Sequence, residues 1–71
     1  MDSETFTMPP FPPHVRLEIQ VVFPGEYCVG YRFEHIHYVP GAPSYYPLQE
    51  ALDRCYKAFR DSFPERANEG D

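Results

Sequence analysis

Residues 15–33 read VRLEIQVVFPGEYCVGYRF, and this stretch decides the fold. In its first half, apolar residues alternate with Arg16, Glu18 and Gln20, which is the period-two pattern of a strand with one buried face. Pro24-Gly25 marks a turn, and a second alternating run follows it. The stretch therefore predicts a β-hairpin, which we expect to extend from about residue 15 to residue 39.

The charges of this hairpin predict its register. If residues 24–26 form the connection, Glu18 lies opposite Arg32. Arg16 then lies opposite Glu34, and oppositely charged cross-strand neighbours are favourable. A two-residue loop would shift the pairing by one residue and would mix the apolar and charged faces. The sequence therefore predicts a three-residue connection.

The alternation becomes ambiguous beyond Glu34. A continued strand would place His35 and His37 on the buried face, and it would place Ile36 and Tyr38 on the charged face. A bulge near His35 would exchange the two sets. Because the pattern fails here, this end of the hairpin is where we first expect binding residues.

A second periodic segment predicts an amphipathic helix from about residue 48 to residue 63. The apolar residues that recur there at helical spacing are Leu48, Ala51, Leu52, Cys55, Phe59 and Phe63. Ser44 is a candidate N-cap, and Pro47 is compatible with the first turn. Pro64 ends the helix. The predicted fold class is therefore α+β, with an antiparallel hairpin packed against one C-terminal helix.

A chain of 71 residues provides one small domain. We divide it into an extended proline-rich arm (residues 1–13), a ββα domain (residues 14–63) and a disordered acidic tail (residues 64–71). A two-stranded sheet leaves both outer edges unpaired. Three solutions remain open: residues 5–8 add a third strand, two copies form a homodimer through a strand edge, or another protein covers the edge.

The net charge of −5 lies mostly in the two tails, so the predicted folded part is nearly neutral. This disfavours direct nucleic-acid binding, which needs a basic patch. No apolar run approaches the ~20 residues of a membrane helix, and the N-terminus lacks a signal-peptide pattern. Cys28 and Cys55 are interpreted as free, mostly buried thiols. We expect a soluble protein of the reducing cytoplasm.

His35-x-His37 is the sharpest candidate for chemistry. Alternate strand residues point the same way, so both imidazoles could reach one metal ion. His14 or Cys55 would have to supply further ligands, and neither has a recognised metal-site spacing. Cys55 is better explained as a core residue than as a nucleophile, and no glycine-rich phosphate loop occurs. We predict no enzymatic activity and no cofactor, and keep a small metal-binding protein using His35 and His37 as an alternative.

Six tyrosines without a tryptophan favour an interaction surface. The expected binding residues are His35, Ile36, His37, Tyr38, Tyr45 and Tyr46. Of these, Tyr38, Tyr45 and Tyr46 are expected to be exposed. The leading hypothesis is a non-enzymatic protein-binding module, an inhibitor or adaptor that occludes a site on a partner protein. A phage or mobile-element anti-defence protein of the anti-CRISPR kind is its concrete form.

Residues Tyr38-Val39-Pro40-Gly41, followed by Leu48-Gln49-Glu50-Ala51-Leu52, resemble the strand–loop–helix of HicB-type antitoxin domains. The resemblance implies an antitoxin-like or regulatory domain of a toxin–antitoxin pair, which is the alternative function. The chain departs from that pattern because it has no obvious third strand between the loop and the helix. We therefore carry over no functional residues from that family.

Overall fold

The computed structural model describes residues 6–41 and 45–67. Strands β1 (Arg16–Phe23), β2 (Glu26–Phe33) and β3 (Ile36–Tyr38) form an antiparallel sheet in the order β1-β2-β3. Helices α1 (Leu48–Ser62) and α2 (Pro64–Ala67) follow the sheet. The predicted α+β class is confirmed.

The core is a layer of apolar side chains between β2 and α1. Its buried residues are Val29, Tyr31, Phe33, Ala51, Leu52, Cys55 and Phe59. Alternate residues of β2 and every third or fourth residue of α1 contribute, so the two periodicities of the sequence meet in this layer. The Phe59 ring lies edge-on to Tyr31 at 5.4 Å and to Phe33 at 5.3 Å between centroids. These contacts fix α1 against the second half of β2.

The predicted register of the first hairpin is wrong by two residues. Glu18 lies opposite Gly30, and Arg16 lies opposite Arg32. Arg32 still reaches Glu18 diagonally, with its Nε 2.8 Å from Oε2, whereas the predicted Arg16–Glu34 pair is not opposed in the sheet. A long arginine side chain reaches diagonal neighbours as well as direct ones. The Glu18–Arg32 pair is therefore compatible with both registers.

A two-residue turn and a bulge together produce the observed register. Pro24 and Gly25 form the turn, and Gly25 has a φ of 80°, a left-handed conformation that glycine adopts at little cost. The register shifts between Val21 and Phe23, where one extra residue enters β1. This bulge restores the alternation that a two-residue turn alone would break, so the apolar and polar faces stay separate.

The third strand comes from the far end of the hairpin. Glu34 and His35 form a second tight turn, with Glu34 at a φ of 58°, and β3 then returns along β2. The failed alternation in the sequence therefore marks a turn, and the predictions of a continuous strand or a bulge are wrong. The alternative of a third strand at residues 5–8 is also wrong for residues 6–8, which are not in a strand. Thr5 lies outside the described residues.

The ends of α1 differ from the prediction. Pro47 occupies the N-cap position without a side-chain cap, so the predicted cap at Ser44 is wrong; Ser44 itself lies outside the described residues. Beyond α1, residues 64–67 form the one-turn helix α2, where the sequence predicted a disordered tail. The rest of that tail, residues 68–71, lies outside the described part of the chain.

The proline-rich arm packs along α1. Near the start of the helix, the Gln49 side-chain amide donates to the carbonyl oxygen of Thr7 at 2.9 Å, and the Thr7 N–H donates back at 2.6 Å. Nearer its end, the Phe11 ring lies 5.1 Å from Tyr56 and 5.9 Å from Phe59. The arm therefore runs in the same direction as α1, and its aromatic residue adds to the core.

Candidate protein-binding surface

The single long helix covers only part of the sheet. An α-helix is about 10 Å wide and neighbouring strands are about 4.8 Å apart, so one helix covers roughly two strands. α1 packs on β2, and no Cα atom of α1 lies within 8 Å of a Cα atom of β1. Of the residues of β1, Leu17 alone is half-buried against the core, and the rest of the strand lies beside that layer.

Apolar side chains of β1 are exposed as a result. Ile19 is 48 % exposed and Val21 is 63 % exposed. Ile19 lies opposite the buried Val29, so it belongs to the helix side of the sheet although no helix covers it. At the end of the strand, Phe23 is also exposed and makes an edge-to-face contact with Tyr45 at 6.4 Å. This row of side chains makes β1 an apolar margin of the domain.

No described segment of the chain pairs with the outer backbone edge of β1. β1 is an outermost strand of eight residues and contains neither proline nor lysine, two residues that commonly protect sheet edges. Across residues 6–41 and 45–67, no backbone hydrogen bond joins β1 to any segment other than β2. We define the β1 surface as the open edge of residues 16–21 together with Ile19 and Val21.

The opposite edge of the sheet is shorter. β3 has three residues, and the chain then returns to β2 through a bridge in which Tyr46 and Tyr27 exchange backbone hydrogen bonds of 2.8 and 3.0 Å. This bridge occupies part of the β2 edge that β3 leaves free. The β1 surface is therefore the longer open edge of the described sheet.

The predicted tyrosines differ in exposure. Tyr45 is 40 % exposed, as predicted. The prediction is wrong for Tyr38 and Tyr46, which are both half-buried. Tyr38 stacks on Tyr31 with ring centroids 5.1 Å apart, and the Arg54 guanidinium lies 4.1 Å above the centre of the Tyr46 ring. Tyr38 is half-buried because the second turn directs its side chain to the helix side of the sheet, opposite Tyr31.

The other three predicted residues lie around the second turn. His35 is in the turn itself, and Ile36 is exposed at the start of β3. His37 lies on the polar outer face, where its Nε2 is 2.6 Å from Oε1 of Glu18. The six predicted residues therefore do not form one continuous surface, and part of the set belongs to the core or to an ion-paired cluster.

Glu18 connects all three strands on the outer face. Its carboxylate lies between Arg32 on β2 and His37 on β3, with contacts of 2.8 and 2.6 Å. Hydrogen bonds from Arg32 first, and from His37 second, lower the pKa of Glu18 below its ordinary value. The cluster is exposed to solvent, so its contribution is small and sensitive to salt.

We expect the wild-type protein to lose more stability in acid than the Glu18→Gln variant. Since the pKa of Glu18 is lower in the folded than in the unfolded chain, its stabilisation is complete above the unfolded pKa and is lost as the pH falls through the folded pKa. Thermal melts between about pH 5 and pH 2 should show the two Tm values converging. Parallel melting curves over this range would contradict the ionic role of Glu18.

The histidines do not assemble a metal site in the described part of the chain. No group of three or more His, Cys, Asp or Glu side chains within residues 6–41 and 45–67 is placed to hold a metal ion. Cys55, the thiol considered as a further ligand or nucleophile, is buried in the core. Burial raises the pKa of Cys55 to about 12, so its side chain stays in the protonated thiol form, which is a poor nucleophile and metal ligand.

Ile19 and Val21 were missed because alternation alone assigns them to the buried face. For a two-stranded hairpin that assignment holds, since one helix covers two strands. The third strand changes it, because α1 then lies over β2 and one outer strand remains uncovered. The missing signal was the turn at Glu34-His35, whose residues are not the glycine or asparagine that usually marks such a turn.

Comparisons with protein-family models, with curated proteins and with solved structures find no match to this chain. Within the described residues, no helix is both long enough and apolar enough to cross a membrane.

Proposed function

We propose that this protein is a non-enzymatic protein-binding module of the cytoplasm that binds an extended segment of a partner along β1. The observation that supports this proposal is the open edge of β1, with Ile19 and Val21 uncovered beside it. An added strand would satisfy the unpaired backbone groups, and its alternate side chains would cover the two exposed apolar residues.

The charges beside this edge describe the preferred partner. Arg16 makes no ion pair within the described residues, whereas Glu18 is already paired with Arg32 and His37. A partner strand that carries an acidic residue opposite Arg16, and apolar residues on the helix side, is therefore the best complement. A homodimer through the same edge belongs to this proposal as well, because a second copy carries the same strand.

Binding of this kind suits an inhibitor or adaptor, which acts by covering a segment that its partner needs elsewhere. The anti-defence inhibitor of a phage or mobile element is the concrete form that we propose. The antitoxin-like regulatory domain is the alternative, and it would use the same surface on a toxin. Since either form acts through protein contact alone, the first experiment concerns the surface.

Ile19→Lys is expected to weaken partner binding at least about tenfold, which corresponds to about 1.4 kcal/mol. The lysine would place a charge where the partner strand must exclude water. Affinity capture from cells of the source organism, followed by titration of the captured protein, measures the effect. Ile36→Lys is the matched control, because Ile36 is also an exposed isoleucine but lies on β3, at the opposite edge of the sheet.

Circular dichroism establishes that both variants keep the fold. Loss of the captured partner from Ile19→Lys alone would support the β1 surface. Equal binding by the wild-type protein and both variants would overturn it, and so would equal loss in both variants.

A further inference from the structure

We propose that, when no other partner is bound, a second copy of this chain occupies the β1 surface. The two β1 strands pair in antiparallel orientation, and the two-fold axis passes between Ile19 and its counterpart in the second copy. This inference rests on the proposed function, because it names one occupant of the same surface. The two β1 strands join two three-stranded sheets into one continuous sheet of six strands. The dimer closes on itself, so each open β1 edge is covered.

Symmetry restricts the possible registers of this pair. In a two-fold antiparallel pair, the residue on the axis faces its own counterpart. An axis at Glu18 would oppose two carboxylates, which is destabilising. An axis at Leu17 would require His14 and Val15, which lie outside β1. An axis at Gln20 would set Glu18 against the partner's Val22 and Leu17 against the partner's Phe23, across the bulge between Val21 and Phe23. An axis at Ile19 keeps residues 17–21 in regular pairs, clear of that bulge.

The register centred on Ile19 also covers the exposed apolar side chains. Ile19 packs against its counterpart, and Leu17 packs against Val21 of the partner subunit. Ile19 and Val21 are the two apolar residues of the β1 surface that the monomer leaves exposed. On the outer face, Gln20 lies opposite Glu18 of the partner subunit, and its side-chain amide can donate to that carboxylate. Neither face places two like charges in direct opposition.

Arg16 keeps this dimer weaker than the complex with an acidic partner strand. In the register centred on Ile19, Arg16 falls opposite the bulge at Val22 of the partner subunit, so its charge gains no counterion. A partner strand with a carboxylate at that position gains an ion pair that a second copy does not supply. Self-association and partner binding therefore compete for one edge. At a given total concentration of this chain and its partner, dimer formation lowers the concentration of free monomer and so the amount of complex with the partner.

Sedimentation velocity tests the dimer directly. For a chain of 8.3 kDa, the mass of the wild-type protein should rise towards twice that value as concentration increases towards about 1 mM. Ile19→Lys, which sets two lysines against each other on the axis, should stay monomeric. Gln20→Arg should tighten the dimer roughly two- to thirtyfold, because symmetry creates two new pairs with Glu18. A wild-type protein that is monomeric throughout overturns the inference.

Cysteine cross-linking tests the register. In a Cys28→Ser background, Ile19→Cys should form an intermolecular disulfide on mild oxidation, because its counterpart lies directly opposite. Leu17→Cys and Val21→Cys are the matched controls, since each lies several residues from its counterpart along the paired strands. Faster cross-linking of either control would overturn the axis at Ile19.

The two proposals fail in different ways when both variants are also used in affinity capture. If the wild-type protein is monomeric and Ile19→Lys alone loses the captured partner, the second copy is excluded while the protein-binding function stands. If the protein dimerises with the predicted cross-link and Ile19→Lys still captures the partner, the dimer stands and the proposed partner site is overturned.

Discussion

Phe59→Ala is expected to lower the free energy of unfolding by about 3–5 kcal/mol, the range measured when a large buried aromatic residue is truncated. A chain of 71 residues has a total stability of about 4–10 kcal/mol, so this one change removes a large part of it. Phe59 has no exposed surface. Its ring contacts Phe11 of the arm, Tyr31 and Phe33 of β2, and Phe63 after α1. The cavity would therefore loosen several segments at once.

Urea unfolding followed by circular dichroism measures this change. Phe23→Ala is the matched control, because Phe23 is 57 % exposed and lies at the end of β1. We expect that variant to lose less than about 1 kcal/mol, as is usual for residues outside the core. Equal losses in the two variants would contradict a core centred between β2 and α1.

Gly30→Ala is expected to detach β3 from β2. A Cβ atom at Gly30 would overlap the carbonyl oxygen of Tyr38 and would also approach the Pro40 ring. The obstructing atom belongs to the backbone, so no rotamer change relieves the overlap, and β3 must move. Overpacking of this kind costs about 1–3 kcal/mol, and here it acts on a strand of only three residues.

Amide hydrogen exchange distinguishes this local effect from general unfolding. In Gly30→Ala, the amides of β3 should lose protection while those of α1 keep it. The stacked Tyr31–Tyr38 rings should also separate, which near-ultraviolet circular dichroism detects. Gly41→Ala is the control, because a Cβ atom there meets nothing within 4 Å. Unchanged β3 protection in Gly30→Ala would contradict the close approach of β3 to Gly30.

Local periodicity determined β1, β2, α1 and most of the core. The alternation around Leu17 and Tyr31 established the faces of β1 and β2, and the helical spacing through Leu52 and Phe59 established α1. These features need only the order of residues within one element, because side-chain direction repeats every two residues in a strand and every 3.6 in a helix. The α+β class follows from the same patterns.

Only the tertiary structure decided the register, the third strand and the uncovered edge. The register depends on a bulge in β1 that shifts the pairing of every residue before it against β2. The charges do not reveal this shift, because Glu18 can reach Arg32 in either register. β3 depends on a turn with Glu34 in a left-handed conformation, which non-glycine residues seldom adopt. The exposure of Ile19 and Val21 follows from a global condition: one helix covers about two strands, and this sheet has three. The hairpin sequence thus fixed which side chains share a face with the core, while the number of strands decided which of them stay open to a partner.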